Sequence, residues 1–131
     1  MPCTHFNCNP FEVGRTLTVN GVANADANFF HVAIGLSVEN VVLQIDPRFN
    51  DGKVVLNTCQ ERKWGEHVVH EGGFPFQRGK EFKITVLFKR EEFVVTLPDG
   101  AQITYPNRLG KEKYCLLTLN GDAEFKNIDM K

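Results

Sequence analysis

The sequence predicts an all-β domain built as a sandwich of two antiparallel sheets, and three observations carry that prediction. Apolar residues recur at every second position through most of the 131 residues, which is the period of a strand with one buried and one wet face. Turn-forming pairs such as Asp51-Gly52 and Asp99-Gly100 interrupt the alternation at short intervals. Helical spacing is hard to find, and no internal repeat or low-complexity linker divides the chain.

The elements follow in order. Leu17 to Val22 and Phe29 to Gly35 read as early strands. Val41 to Phe49 places Val41, Leu43, Ile45 and Phe49 on one side and Gln44, Asp46 and Arg48 on the other, so the second face carries side chains able to hold something polar. Asp51-Gly52 turns this strand into Val54 to Thr58. Phe82, Ile84, Val86 and Phe88 alternate with Lys83, Thr85 and Lys89, while Phe93, Val95 and Leu97 alternate with Val94 and Thr96. Those two strands join through the charged tip Arg90-Glu91-Glu92, and Pro98-Asp99-Gly100 leads into Ile103 to Tyr105. A closed barrel of the kind that stores fatty acids has similar length, but it carries a pair of short helices near its amino terminus. The two early strands leave no room for such a pair, so the sandwich is preferred.

Residues 1–131 are expected to form one domain, long enough to bury a substantial core. Lysine and arginine number 15 against 16 aspartates and glutamates, so the single-sign field that suits nucleic acid or anionic lipid is absent. No apolar run approaches the roughly 20 residues that span a bilayer, and membrane insertion is not expected. The opening Met1-Pro2-Cys3-Thr4-His5 shows no basic region followed by an apolar run, which leads to an expectation of synthesis in the cytosol. Cys3, Cys8, Cys59 and Cys115 are irregularly spaced and are expected to be free thiols. The cluster Cys3, His5, Cys8 offers three ligands where a structural zinc site wants four, so no metal is expected there. No N-x-Ser/Thr acceptor occurs. An enzyme is not expected either, since no G-x-S-x-G, H-E-x-x-H or phosphate-cradling glycine run is present, and no cofactor is implied.

Six strings in order resemble the galectin family. Gln44-Ile45-Asp46-Pro47-Arg48-Phe49-Asn50 resembles H-x-N-P-R-F-[ND], Val55-Leu56-Asn57-Thr58 resembles V-x-N-[ST], and Trp64-Gly65-Glu66 resembles the start of W-G-x-E-x-R. Phe74 to Gly79 is similar to FPF-x-x-G, Leu97 to Gly100 to LPDG, and Tyr105 to Gly110 to FPNRLG of single-domain members. The resemblance spans the chain. It implies a jelly-roll-like sandwich with a sugar groove on the concave sheet, and a lectin for β-galactoside glycans of the lactose or N-acetyllactosamine type on glycoproteins or glycolipids. It also implies a homodimer, exported from the cytosol without a signal peptide.

Carbohydrate presents hydroxyls around patches of C–H, so its site needs an apolar plate and fixed polar side chains. Trp64 supplies the plate, and its neighbours Lys63, Gly65 and Glu66 place it at an exposed loop edge. Arg48 has forked donors that grip a hydroxyl while a nearby carboxylate holds the fork, and Asn57 donates and accepts at once. Gln44 stands where the family has histidine and Asp46 where it has asparagine; Asp46 keeps an acceptor beside Arg48, either orienting that side chain or competing with sugar for it. After Trp64 the resemblance calls for a glutamate and an arginine, and gap-free alignment puts His67 and Val69 there; a deletion after Gly65 brings Glu66 and Val68 instead. The arginine is absent in either alignment. His31 and Ala33 are placed by the resemblance where family members touch glycan beyond galactose. Two functions therefore stand at this point: a β-galactoside-binding lectin through Gln44, Asp46, Arg48, Asn57, Trp64, Glu66 and His67, and a related protein with lost or changed sugar binding that acts as a structural or protein-interaction module.

Overall fold

The structure is a computed structural model that describes residues 10–131 together with the short strand formed by residues 3–5. Along the chain the strands are β1 (Cys3–His5), β2 (Phe11–Glu12), β3 (Thr16–Ala23), β4 (Phe30–Ser37), β5 (Asn40–Arg48), β6 (Lys53–Gln60) and β7 (Lys63–Trp64). They continue as β8 (Val68–His70), β9 (Glu81–Lys89), β10 (Glu92–Thr96), β11 (Gln102–Pro106), β12 (Lys113–Tyr114), β13 (Leu116–Gly121) and β14 (Ala123–Met130). Among the described residues no helix occurs.

Two antiparallel sheets face each other. One runs in the order β1-β13-β4-β5-β6-β7, with β8 also paired to β6; the other runs β11-β10-β9-β3-β14. The short strands β2 and β12 pair separately. Alternation does what the sequence predicts for Phe82, Ile84, Val86, Phe88, Phe93, Val95 and Leu97, all of which enter the core between the sheets. Phenylalanine dominates that core. Phe30 stacks on Phe82 at 4.5 Å and meets Phe76 edge-on, while Phe88 stacks on Phe93 at 4.6 Å. Full burial of each such ring stabilises by about 1.5–3 kcal/mol.

The strand β5 corrects one expectation. Val42 and Leu43 are both in the core, and Val41 lies instead with Ala33 and Cys59 in a small apolar group of its own. Pairing with β6 slips by one residue between Val41 and Gln44, so β5 carries a β-bulge that breaks simple alternation. From Gln44 onward the expected phase holds: Ile45 is in the core, while Gln44, Asp46 and Arg48 share the outward face. Thr58 fastens the bulge. Its hydroxyl lies 2.7 Å from the Val42 carbonyl and 2.8 Å from the Tyr105 hydroxyl. A hydroxyl has one proton, and a carbonyl only accepts, so Thr58 donates to Val42 and Tyr105 donates to Thr58. A polar tie thus crosses from β6 to β11, from one sheet to the other.

The expected hairpins are present. Arg48 pairs with Lys53 around Asp51-Gly52, Thr96 pairs with Gln102 around Pro98 to Gly100, and Lys89 pairs with Glu92, which makes Arg90-Glu91 the tip and Glu92 a strand residue. Strand β3 is an inner strand, flanked by both β9 and β14. β14 is the outer strand of one sheet and β1 of the other. Cys59 is a buried free thiol and Cys115 an exposed one; the side chains of Cys3, His5 and Cys8 lie outside the described residues.

Candidate functional site

Three neighbouring strands build the site. Cross-strand partners share a face, so the register Ala33↔Gln44, Gln44↔Asn57 and Asp46↔Val55 aligns the outward side chains of β4, β5 and β6. His31, Gln44, Asp46, Arg48, Val55, Asn57, Trp64 and His67 line one open trough of about 430 Å³, within the roughly 300–1,000 Å³ of ligand clefts. Of the seven residues singled out in the sequence, the trough gathers Gln44, Asp46, Arg48, Asn57, Trp64 and His67. Glu66 is exposed on the intervening loop and is not part of its lining.

Trp64 has half of its surface exposed, at 51 %, so the indole is a rim plate and not a core side chain. The loop after it is held from β6: the Gly65 N–H donates to the Thr58 carbonyl at 2.9 Å, and Asn57 Nδ2 donates to the Gly65 carbonyl at 3.0 Å. Asn57 Oδ1 accepts from the Thr58 N–H at 2.8 Å. Asn57 therefore spends part of its capacity on the scaffold, leaving one amide proton and one lone pair for anything in the trough.

Asp46 and Arg48 form the charged centre. The Asp46 side chain retains 8 % of its surface and the Arg48 side chain 49 %, and Arg48 Nε donates to Asp46 Oδ2 at 2.8 Å. Burial works against the charge on Asp46, but hydrogen bonding and charge from His31 and Arg48 outweigh it and hold the carboxyl below the ordinary value of 3.8. His31 Nε2 stands 3.4 Å from Oδ1, so imidazole and guanidinium each face one oxygen of the carboxylate. The choice between orienting and consuming Arg48 resolves toward orientation: Nε is taken by Asp46, and the two terminal nitrogens make no hydrogen bond to the described residues. Gln44 likewise makes none.

The register of β8 decides between the two alignments after Trp64. Val55 pairs with Val69 and Val54 with His70. Val55 lines the trough, so Val69 shares its face and sits where the resemblance calls for arginine. Gap-free alignment is the one the sheet supports, and the position is apolar. Val55 itself was legible from the two-residue step that separates it from Asn57.

A second trough of about 370 Å³ adjoins the first through His31, Asp46 and Arg48, and adds Asn28, Phe29, Asn50 and Asp51. Its rim is well tied. Asp122 accepts from the Asn28 N–H at 2.9 Å, Asn50 Nδ2 donates to Asn28 Oδ1 at 3.1 Å, and Arg78 donates to Asn50 Oδ1 at 2.9 Å. Phe29 and Asn28 were missed in the sequence, because they precede the regular part of β4.

Comparison with known proteins supplies the context for this geometry. The family model described as galactoside-binding lectin matches residues 3–130. A β-galactoside-binding lectin of Electrophorus electricus is 39% identical over 125 residues, 92% of each chain. Among solved structures, the Dario rerio galectin-1-L2 superposes with a TM-score of 0.92 at 38% identity, covering 96% of this chain and 98% of the other. A lactose- and MES-liganded congerin II superposes with a TM-score of 0.93 at 29% identity, covering 99% of this chain and all of the other.

Proposed function

This chain belongs to the galectin family of galactoside-binding lectins, and from that premise we propose that the trough beside Trp64 is where it takes a β-galactoside of the lactose or N-acetyllactosamine type. Family members bind carbohydrate and do not transform it, so the protein is a lectin and not an enzyme. The observation that carries the assignment to this trough is the exposed indole of Trp64 standing beside the outward polar row Gln44, Asp46 and Arg48. The ring offers a flat apolar surface to the C–H face of a pyranose. Arg48 and Asn57 keep free donors for its hydroxyls, and Gln44 offers both a donor and an acceptor.

Val69 changes the affinity expected. A hydrogen bond from a charged group contributes about 1.5–3 kcal/mol, so a site lacking that arginine binds lactose roughly tenfold or more weakly than one that has it. Longer glycans on glycoproteins or glycolipids regain contact over Phe29, Asn28 and His31 in the adjoining trough. Retention on immobilised lactose, with elution by free lactose and loss of retention in Trp64→Ala, tests this reading. Passage through the column together with a glycan array that shows no galactoside would defeat it.

The outer strand β14, paired on one side only, favours a homodimer formed by edge pairing; a monomer mass by light scattering at micromolar concentration would reject it. The free thiols of Cys59 and Cys115 suit synthesis in the reducing cytosol, with an extracellular pool reached by a non-vesicular route. Secretion that stops when vesicular transport is blocked would count against that route.

A further inference from the structure

Trp64 sits on a strand of two residues, too short to hold its own geometry. β7 joins β6 through Glu61-Arg62, with Gln60 paired to Lys63 and Cys59 to Trp64. Both turn residues have positive φ, 52° and 70°. A two-residue turn with φ positive at both positions is normally made by Asn-Gly or Asp-Gly, and long side chains disfavour it. Among non-glycine described residues only these two have such a φ, so something must hold them.

The holding comes from the turn between β4 and β5. Asn40 Oδ1 accepts from the Glu61 N–H at 3.0 Å, and the Glu39 carbonyl accepts from the Arg62 N–H at 3.0 Å. Asn40 is aimed by its own Nδ2, which donates to Ser37 Oγ at 3.3 Å, and the same oxygen accepts from the Glu39 N–H. Glu39 and Arg62 also form an ion pair at 2.6 Å, but both side chains are well exposed, so the charge contributes little beside the two backbone donors.

We propose that Asn40 is a positioning residue for the carbohydrate plate: by satisfying the Glu61 N–H it keeps the Glu61-Arg62 turn in its disfavoured conformation and so fixes Trp64 at the rim of the trough. Asn40 does not line that trough, and its effect on sugar is entirely through Trp64. The proposal rests on the lectin reading for its affinity arm but not for its ligand-free arm.

Trp64 is the only tryptophan in the chain, so its emission reports on this position without interference. In Asn40→Ala, acrylamide quenching and anisotropy decay are expected to show a more mobile, more accessible indole in the folded, ligand-free protein, and lactose affinity by calorimetry is expected to drop about three- to tenfold, the loss of one hydrogen bond of ordinary net strength. Asn40→Asp keeps the acceptor and is expected to stay near the parent. Adding Glu61→Asn and Arg62→Gly to Asn40→Ala supplies residues that adopt the turn unaided and is expected to restore both readings. A merely structural role for Asn40 would lower the melting temperature without moving Trp64 at ambient temperature, and the turn substitutions would not rescue it. Unchanged quenching in Asn40→Ala, or altered quenching that the turn substitutions fail to reverse, overturns the proposal. If the parent protein itself ignores lactose, the lectin reading fails and the quenching arm still decides the role of Asn40.

Discussion

Replacing Thr58 with valine keeps the shape of a side chain buried between the sheets and removes only its hydroxyl. Two partners then lose what they have: the Val42 carbonyl at the β5 bulge loses a donor, and the Tyr105 hydroxyl loses an acceptor. Both sit in the interior, where an unsatisfied polar group costs about 1–3 kcal/mol, so Thr58→Val is expected to lower stability by about 2–4 kcal/mol. For a domain of this size that corresponds to a fall in Tm of roughly 4 °C per kcal/mol. Tyr105→Phe removes only a donor to Thr58, whose own proton stays on Val42, and is expected to cost about 1 kcal/mol. In the double variant the stranded tyrosine hydroxyl is gone, so the combined loss falls short of the sum by about 1–2 kcal/mol. Denaturant unfolding followed by circular dichroism measures all four states. Additivity within about 0.5 kcal/mol, or a Thr58→Val variant as stable as the parent, would refute the inter-sheet tie. Because the bulge sets which residues of β5 face outward, Thr58→Val is also expected to weaken lactose binding in the folded protein, whereas Tyr105→Phe is not.

Two further outcomes follow from the charged centre of the trough. Arg48→Lys keeps the charge but loses the fork that lets one side chain hold Asp46 and still present free donors; lactose affinity by calorimetry is expected to fall tenfold or more, and an unchanged value would show that the fork is not used. Asp46 has its carboxyl held below 3.8 in the folded protein, so its ionised form contributes stability that is complete above the unfolded value and disappears as pH falls from there through the depressed folded value. The stability gap between parent and Asp46→Asn is therefore expected to shrink as the solution is acidified below about pH 4. Melts across that range giving a flat or widening gap would remove Asp46 as its source.

Much of the sandwich was legible because alternation and turn chemistry agree. Phe82 to Phe88 and Phe93 to Leu97 are read correctly by period alone, and Asp51-Gly52 and Asp99-Gly100 mark real hairpins. The reading of Val41 failed because a bulge is a register event between strands: Val41-Val42-Leu43 is a run of three apolar residues, and only the partner strand decides which two turn inward. The site divides along the same line. Gln44, Asp46 and Arg48 follow from strand phase, Asn57 from the family resemblance, and Trp64 from that resemblance and its polar surroundings. What the sequence could not order was the loop after Trp64, where Glu66 and His67 compete for one place until the pairing of Val69 with Val55 gives it to His67. Asn40 was silent for a related reason, since its contact crosses from one turn to another 21 residues away.

Asp46 shows how a substitution in a recognised motif changes meaning once its burial is known. An aspartate beside an arginine on an open strand face reads as a rival for that arginine. In the structure its two oxygens have separate duties, because the side chain is sunk in the sheet surface and meets Arg48 only through Oδ2 and Nε. Oδ1 lies between the two troughs, buried, and faces the His31 Nε2 at 3.4 Å. The change from asparagine thus shifts the site from one that can donate at this position to one that only accepts. It selects against an anionic group there, whose charge would meet that of the carboxylate.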